Sequence, residues 1–256
     1  MTLRILVAAV VAMLSTTAFA ADLLNYKPEP VMASAPAFDW TGFHLGISGG
    51  YGFNADDPSY TYQNVPSDVL SLLPSAAHID ADGGLIGGTI GFDKQFGQVV
   101  LGIEGDLSAT DFGENAVHNV AGDPSIGFPP IKFRTDYEMD WLSTVRGRVG
   151  VAFDRWLLYG TAGVAFAKVS LDTSVTIGDP PMGQLTGSED TTKSGWTAGG
   201  GGAVAITPHI SLKAEALYYD LGNVTVRSTN PQQDVVLFTD QDVNGVIARG
   251  GIDYRF

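Results

Sequence analysis

The chain has 256 residues, 45% hydrophobic and only 16% charged, with 32 glycines and no cysteine. A soluble domain ordinarily carries roughly 25% charge and about 7% glycine, so the glycine excess calls for a structural cause, and the lack of cysteine excludes disulfides, zinc knuckles and thiol nucleophiles. A formal charge of -14 argues against a nucleic-acid partner, and the longest apolar run, Ile5 to Leu14, falls short of the roughly 20 residues a membrane-spanning helix needs.

Residues 1–20 read as a secretory signal, with Arg4 as the positive start, Ile5 to Leu14 as the apolar centre and Ala18-Phe19-Ala20 as the small-x-small cleavage site. Cleavage is expected after Ala20. The competing reading, a buried N-terminal helix, lacks the polar face and following cap that such a helix shows. Residues 21–39 carry Pro28, Pro30 and Pro36 without an apolar repeat, the signature of an extended periplasmic tether. A barrel domain is expected over residues 40–256.

From Trp40 onward the hydrophobic period is two. Phe43, Leu45, Ile47, Tyr51 and Phe53 alternate with His44, Gly46, Ser48, Gly50 and Gly52. A second run sets Ile86, Ile90 and Phe92 against Gly87, Thr89, Gly91 and Asp93; a third sets Val99, Leu101, Ile103 and Leu107 against Gly102, Glu104 and Asp106. The fourth opposes Tyr137, Met139, Trp141, Val145, Val149, Val151 and Phe153 to Asp136, Glu138, Asp140, Thr144, Arg146, Arg148 and Gly150. The fifth, about Trp156 to Ile177, has no clear parity because Leu157, Leu158 and Tyr159 are all apolar. In the sixth, Trp196, Val204 and Ile206 face away from Thr197, Gly199, Gly201 and Ala203; in the seventh, Ile210, Leu212, Ala214, Ala216 and Tyr218 oppose Ser211, Lys213 and Glu215. The eighth opposes Val246, Ala248, Ile252, Tyr254 and Phe256 to Arg249, Gly251, Asp253 and Arg255.

The connections alternate in length. Tight turns are expected at Gln95 to Gln98, at Asp154 and Arg155, and at Thr207 to His209, and long links at residues 54–79, 113–132, 178–192 and 229–240. Short turns on one rim and long links on the other describe an all-β, eight-stranded antiparallel up-and-down transmembrane β-barrel of the outer membrane. Its polar face must then point inward. Glycine weakens a solvated strand, but it leaves room where charged side chains converge in a narrow lumen. Counted from the short-turn rim, Glu104, Arg148, Glu215 and Arg249 stand at one height to within one or two residues. The expected lumen cluster is Glu104, Asp106, Arg146, Arg148, Lys213, Glu215 and Arg249, held by carboxylate pairing in an interior just wide enough for side chains. Tyr254 and Phe256 at one end, with Trp141, Tyr137, Tyr218 and Trp196 towards the other, are expected to form aromatic girdles.

On the long-link side the acids are opposed only by Lys132, Arg134, Lys168, Lys193 and Arg227. Such a rim either binds lipopolysaccharide through divalent cations or simply keeps the links solvated. Asp56-Asp57 and Asp80-Ala81-Asp82 lack a calcium-loop spacing, and Gly199 to Gly202 lacks the lysine and helix of a phosphate loop. His44 is the one histidine expected on a lumenal strand face, and no catalytic, cofactor or metal site is expected.

Ala20-Ala21-Asp22-Leu23, Phe38-Asp39-Trp40-Thr41-Gly42-Phe43, Gly49-Gly50-Tyr51-Gly52, the stretch from Gly150 to Gly160 and the terminal stretch from Arg249 to Phe256 resemble the small porin-like outer membrane proteins of alphaproteobacteria, of the RopB and major surface antigen type. The resemblance covers essentially the whole chain after residue 20. It implies an eight-stranded barrel inserted by the barrel assembly machinery, which reads a final strand ending in an aromatic, here Phe256 with Tyr254 two places before. It also implies a structural surface protein contributing to envelope integrity, with at most a narrow pore. The alternatives are a loop-based receptor or adhesin, for instance for haem or a host surface, and a small diffusion porin.

Overall fold

The computed structural model describes residues 38–54, 57–76, 82–125, 127–230 and 233–256. The expected signal segment, most of the tether, and Asp56 and Asp80 lie outside them. Eight long strands form a closed antiparallel ring: β1 (Gly42–Asn54), β3 (Gly83–Phe96), β4 (Val99–Val120), β5 (Ile131–Phe153), β6 (Trp156–Ile177), β7 (Gly183–Ala205), β8 (Ile210–Asn230) and β9 (Gln233–Arg255). Pairing of β1 with β9, from His44 opposite Arg255 to Asn54 opposite Gly245, closes the ring and removes both sheet edges at this level. A short strand, β2 (Ser59–Gln63), adds to the outer end of β9, and a single helical turn, α1 (Ser67–Leu70), follows it.

At the short-turn end, Phe96 pairs with Val99 and Phe153 with Trp156, so two residues make each hairpin. The left-handed backbone that such turns demand is supplied by Gly97 (φ 63°) and Asp154 (φ 53°). At the other end the strands run well past the expected boundaries. Of the four long links, those at 113–132, 178–192 and 229–240 are largely strand, leaving connections at 121–130, 178–182 and 231–232. Polar residues such as Asn115, Lys132 and Asp190 sit on the outward face of these extended strands, which polarity alone does not distinguish from a loop. In the outer connection at 121–130, Asp123 accepts bonds from the Ser125 amide (2.9 Å) and hydroxyl (2.5 Å), which hold its carboxyl below the usual range.

The barrel has two zones. In the lower zone the outer surface is apolar: Leu45, Ile47, Ile86, Ile90, Ile103, Leu107, Val149 and Ile252 are all exposed. On β4 this face runs from Val99 to Ala109; about ten residues at about 3.3 Å each, tilted by about 40°, cover about 25 Å, the height of an outer-membrane hydrocarbon band. Phe43, Phe96, Phe153, Trp156, Tyr254 and Phe256 ring its lower edge, and Tyr51, Phe53 and Trp196 mark the upper.

Above the belt the polarity inverts. The register of β4 against β5 shifts between Ala109 and Phe112, that of β5 against β6 between Met139 and Trp141, and that of β8 against β9 between Asp220 and Asn223. On β5 this bulge exchanges the faces. Tyr137 and Met139, expected on the lipid face, are instead buried inside, and Asp136, Glu138 and Asp140, expected in the lumen, point outward. Tyr137 is therefore no part of an aromatic girdle. It joins Phe112, Leu171, Tyr219 and Val226 in an apolar core like that of a water-soluble barrel. The fifth run also acquires its faces: odd positions from Leu157 to Val175 point inward, whereas Trp156, Leu158, Val164 and Phe166 point out.

Candidate functional site

Alternation fixes which side chains share the lower lumen, and the ladder fixes their partners. Glu104 on β4 lies directly opposite Arg146 on β5, and Glu215 on β8 opposite Arg249 on β9. Every other residue on these strands points inward, and four strands bring their charges to one layer. The structure brings together all seven expected charges.

Arg146 is the hub. Its Nη2 reaches Glu104 Oε1 at 2.6 Å and Asp106 Oδ2 at 3.1 Å, its Nη1 reaches Glu215 Oε2 at 3.3 Å, and its Nε donates to Thr144 Oγ1 at 2.9 Å. Arg249 grips Asp106 with both terminal nitrogens, at 3.0 and 3.1 Å, while its Nε reaches Glu215 at 2.7 Å. Such two-point pairing fixes orientation as well as charge. Lys213 Nζ lies 3.1 Å from Glu104 and 3.3 Å from Asp253. Arg148 binds both oxygens of Asp93, at 2.6 and 2.7 Å, with its guanidinium 4.9 Å from the centre of the Tyr159 ring. The Tyr159 hydroxyl in turn donates to Glu215 at 3.1 Å.

Asp93, Asp253 and Arg255 belong to the same network. Asp93 also accepts from Arg255 at 3.1 Å. The sequence places all three on the polar face, yet counting height strand by strand neglects the stagger between tilted neighbours, which brings Asp93 level with Arg148. Tyr159 was hidden by the ambiguous parity of β6. His44 sits fully buried between Asp93 (3.5 Å) and Glu104 (3.4 Å). With Asp93, Glu104, Asp106, Glu215 and Asp253 facing Arg146, Arg148, Lys213, Arg249 and Arg255, the layer balances its formal charge apart from His44.

The glycines have their cause here. A Cβ on Gly102 would lie 2.1 Å from Asp93 Oδ1, and one on Gly46 1.9 Å from Asp253 Oδ1. Gly199 to Gly202 lie within β7, where Gly201 lets the backbone of Glu215 approach.

Below the ionic layer, Trp40 closes the barrel mouth. It is buried with Val100, Ala152, Leu157, Ala203 and Ala205. Its amide donates to Gln95 Oε1 at 2.8 Å, and its carbonyl accepts from Arg255, whose guanidinium lies 5.2 Å from the indole centre. Above the layer stands the apolar core. The lumen is thus filled by an apolar plug, an ionic layer and an apolar core in succession. Tyr254 and Phe256 stand outside it, their rings 5.1 Å apart, and the Phe256 amide donates to the Phe43 carbonyl at 3.0 Å. Among the described residues no group of three or more His, Cys, Asp or Glu is arranged to hold a metal.

A family model described as outer membrane protein beta-barrel domain matches residues 6–256. The chain is 32% identical over 257 residues to a 31 kDa outer-membrane immunogenic protein of Brucella melitensis, covering 98% of this chain and 99% of that one. It is 30% identical over 192 residues to a 22 kDa outer membrane protein of Rhizobium leguminosarum, covering 72% of this chain and 66% of that one. Among solved structures, the outer membrane protein OprG of Pseudomonas aeruginosa aligns with a TM-score of 0.47 and 15% identity over 86% of this chain and 99% of that one.

Proposed function

The chain belongs to the outer membrane protein beta-barrel domain family and is an outer membrane surface protein; from that premise we propose that it serves as a structural element of the envelope, neither a diffusion pore nor an enzyme. The observation that carries this reading is the filled lumen, from Trp40 through the Arg146 network to Phe112 and Tyr137. A closed barrel contributes area and anchorage to the outer leaflet while passing nothing. In planar bilayers the purified protein is expected to give no ion-conducting steps; long-lived, reproducible steps would overturn the reading in favour of a small porin.

The outward faces of the projecting strands carry Asp111, Glu138, Asp140, Asp172 and Asp190, all exposed. Single carboxylates completed by lipopolysaccharide phosphates around divalent cations would tie this rim to the outer leaflet. Loss of the protein should then sensitise cells to chelators.

The barrel assembly machinery is the second proposed partner, with Tyr254 and Phe256 as its signal. Phe256→Ala should reduce the yield of folded, heat-modifiable protein in the outer membrane far more than Phe53→Ala. Both aromatics are exposed on the belt, so loss of lipid contact affects the two alike. Equal yields would remove the proposed signal.

A further inference from the structure

The outer end of the barrel holds a cavity of about 160 Å³ between the apolar core and the segment running from β2 through α1. Its walls come from Ile131 and Phe133 on β5, Val175 and Ile177 on β6, and Leu185 on β7, with Val69 of α1 among the residues across from them. All its lining residues are aliphatic, proline or aromatic, and none is charged. The two tyrosine hydroxyls nearby are already engaged: Tyr60 with Thr135 Oγ1 at 2.8 Å and Tyr62 with the Pro74 carbonyl at 2.7 Å. The Tyr62 ring meets Phe133 edge-on at 6.4 Å, leaving aromatic surface towards the space.

We infer that this cavity is a binding site for a small, neutral, apolar ligand of single-ring aromatic size, taken from the external medium. Size and chemistry agree on that class. A cavity of roughly 150 Å³ lined by leucine, isoleucine and phenylalanine stays dry and takes up benzene. A charged or strongly hydrogen-bonding ligand would find no partner for its polar atoms and would be excluded by its desolvation cost. The apolar core beneath, including Leu171 and Tyr219, and the ionic layer below it close the way to the periplasm. The site is therefore a terminus and not the mouth of a conduit. The segment that partly covers it is laddered to β9 from Ser59 to Gln63, and its return strand is tied to β2 by the amide of Tyr60 donating to the Ser75 carbonyl at 2.9 Å and by the Tyr62 hydroxyl.

The test is a benzene titration of the full barrel in lipid nanodiscs, with isoleucine methyl groups labelled for NMR. Ile131 and Ile177 line the cavity, whereas Ile47, Ile90 and Ile252 face lipid and report benzene dissolved in the bilayer. Saturable shifts at Ile131 and Ile177, with only linear drift at the three lipid-facing methyls, are expected. Leu185→Phe, or Val235→Phe at the rim should the first variant fail to fold, is expected to abolish the saturable component. Linear drift at all five methyls, or saturation that survives a folded filling variant, would overturn the site. Conductance measurements are blind to this cavity, so its failure is separate from failure of the structural reading.

Discussion

Replacing Arg146 by alanine is expected to lower the free energy of unfolding by about 3–5 kcal/mol, the largest loss from any single member of the ionic layer. Arg146 is about 1% exposed and faces Glu104, Asp106 and Glu215 together. Removing it leaves three carboxylates short of a partner in a region that water reaches poorly, and the penalty is mostly their uncompensated burial. Arg148→Ala should cost less, because Asp93 keeps Arg255 and Glu104 keeps Arg146 and Lys213. Adding Glu104→Gln to Arg146→Ala should restore part of the loss, since one charge fewer is stranded, and that non-additivity is what a shared network produces. The measurement is the urea midpoint of the refolded protein in detergent. Buried pairs are weakly screened, so the ranking should persist at high salt. Equal midpoints for Arg146→Ala and the unaltered protein would show that the layer is hydrated and contributes little.

That layer was legible in the sequence because two signals coincide on it. Period-two alternation places Glu104, Arg146, Lys213, Glu215 and Arg249 on polar faces, and the short turns give each strand a common zero of height. The same alternation misleads at Asp140. One extra residue opposite Thr110 and Asp111 exchanges the faces of β5, and nothing in the local pattern announces it, because Tyr137 and Met139 keep the parity of Trp141. The only trace is compositional: Asp136, Glu138 and Asp140 stand together where the lower half of β5 has Thr144, Arg146 and Arg148. Acids without bases suit a solvated outer face better than a lumen that must balance its charge. The links at 113–132 and 178–192 were misread for a related reason. A strand projecting into water alternates polar outward residues with inward ones such as Leu185, and Thr, Ser and Gly at many of the inward positions dilute that signal. Trp40 illustrates a third limit, since a residue outside any strand has no parity, and only the closed ring reveals the mouth it fills.

A barrel of two zones makes arginine on different faces costly at different heights, and this ordering is the sharpest test of where the hydrocarbon ends. Val145 is 46% exposed near the middle of the belt on β5, opposite Gly105, so Val145→Arg should cost about 2–4 kcal/mol, as a charged side chain on the lipid face does at mid-bilayer depth. Ser174 also points outward, on β6, but above the bulges. There Ser174→Arg meets water and should change stability by no more than about 0.5 kcal/mol, like an ordinary surface substitution. Leu171, three residues lower on β6, is fully buried in the outer core. Leu171→Arg removes a side chain packed in the apolar core and puts a charge in its place, with the exposed Glu189 across the ladder as its facing acid, which should cost about 3 kcal/mol or more. A uniform transmembrane barrel predicts a different pattern: Ser174 would then be a lipid-facing site and Leu171 a lumenal one, making the first substitution costly and the second mild. Urea unfolding of the three variants in lipid vesicles separates the two. Should Ser174→Arg prove as damaging as Val145→Arg, hydrocarbon extends past the bulges and the outer core is no water-soluble barrel. The expected ordering instead makes the register shifts the boundary at which the sequence exchanges one solvent for the other.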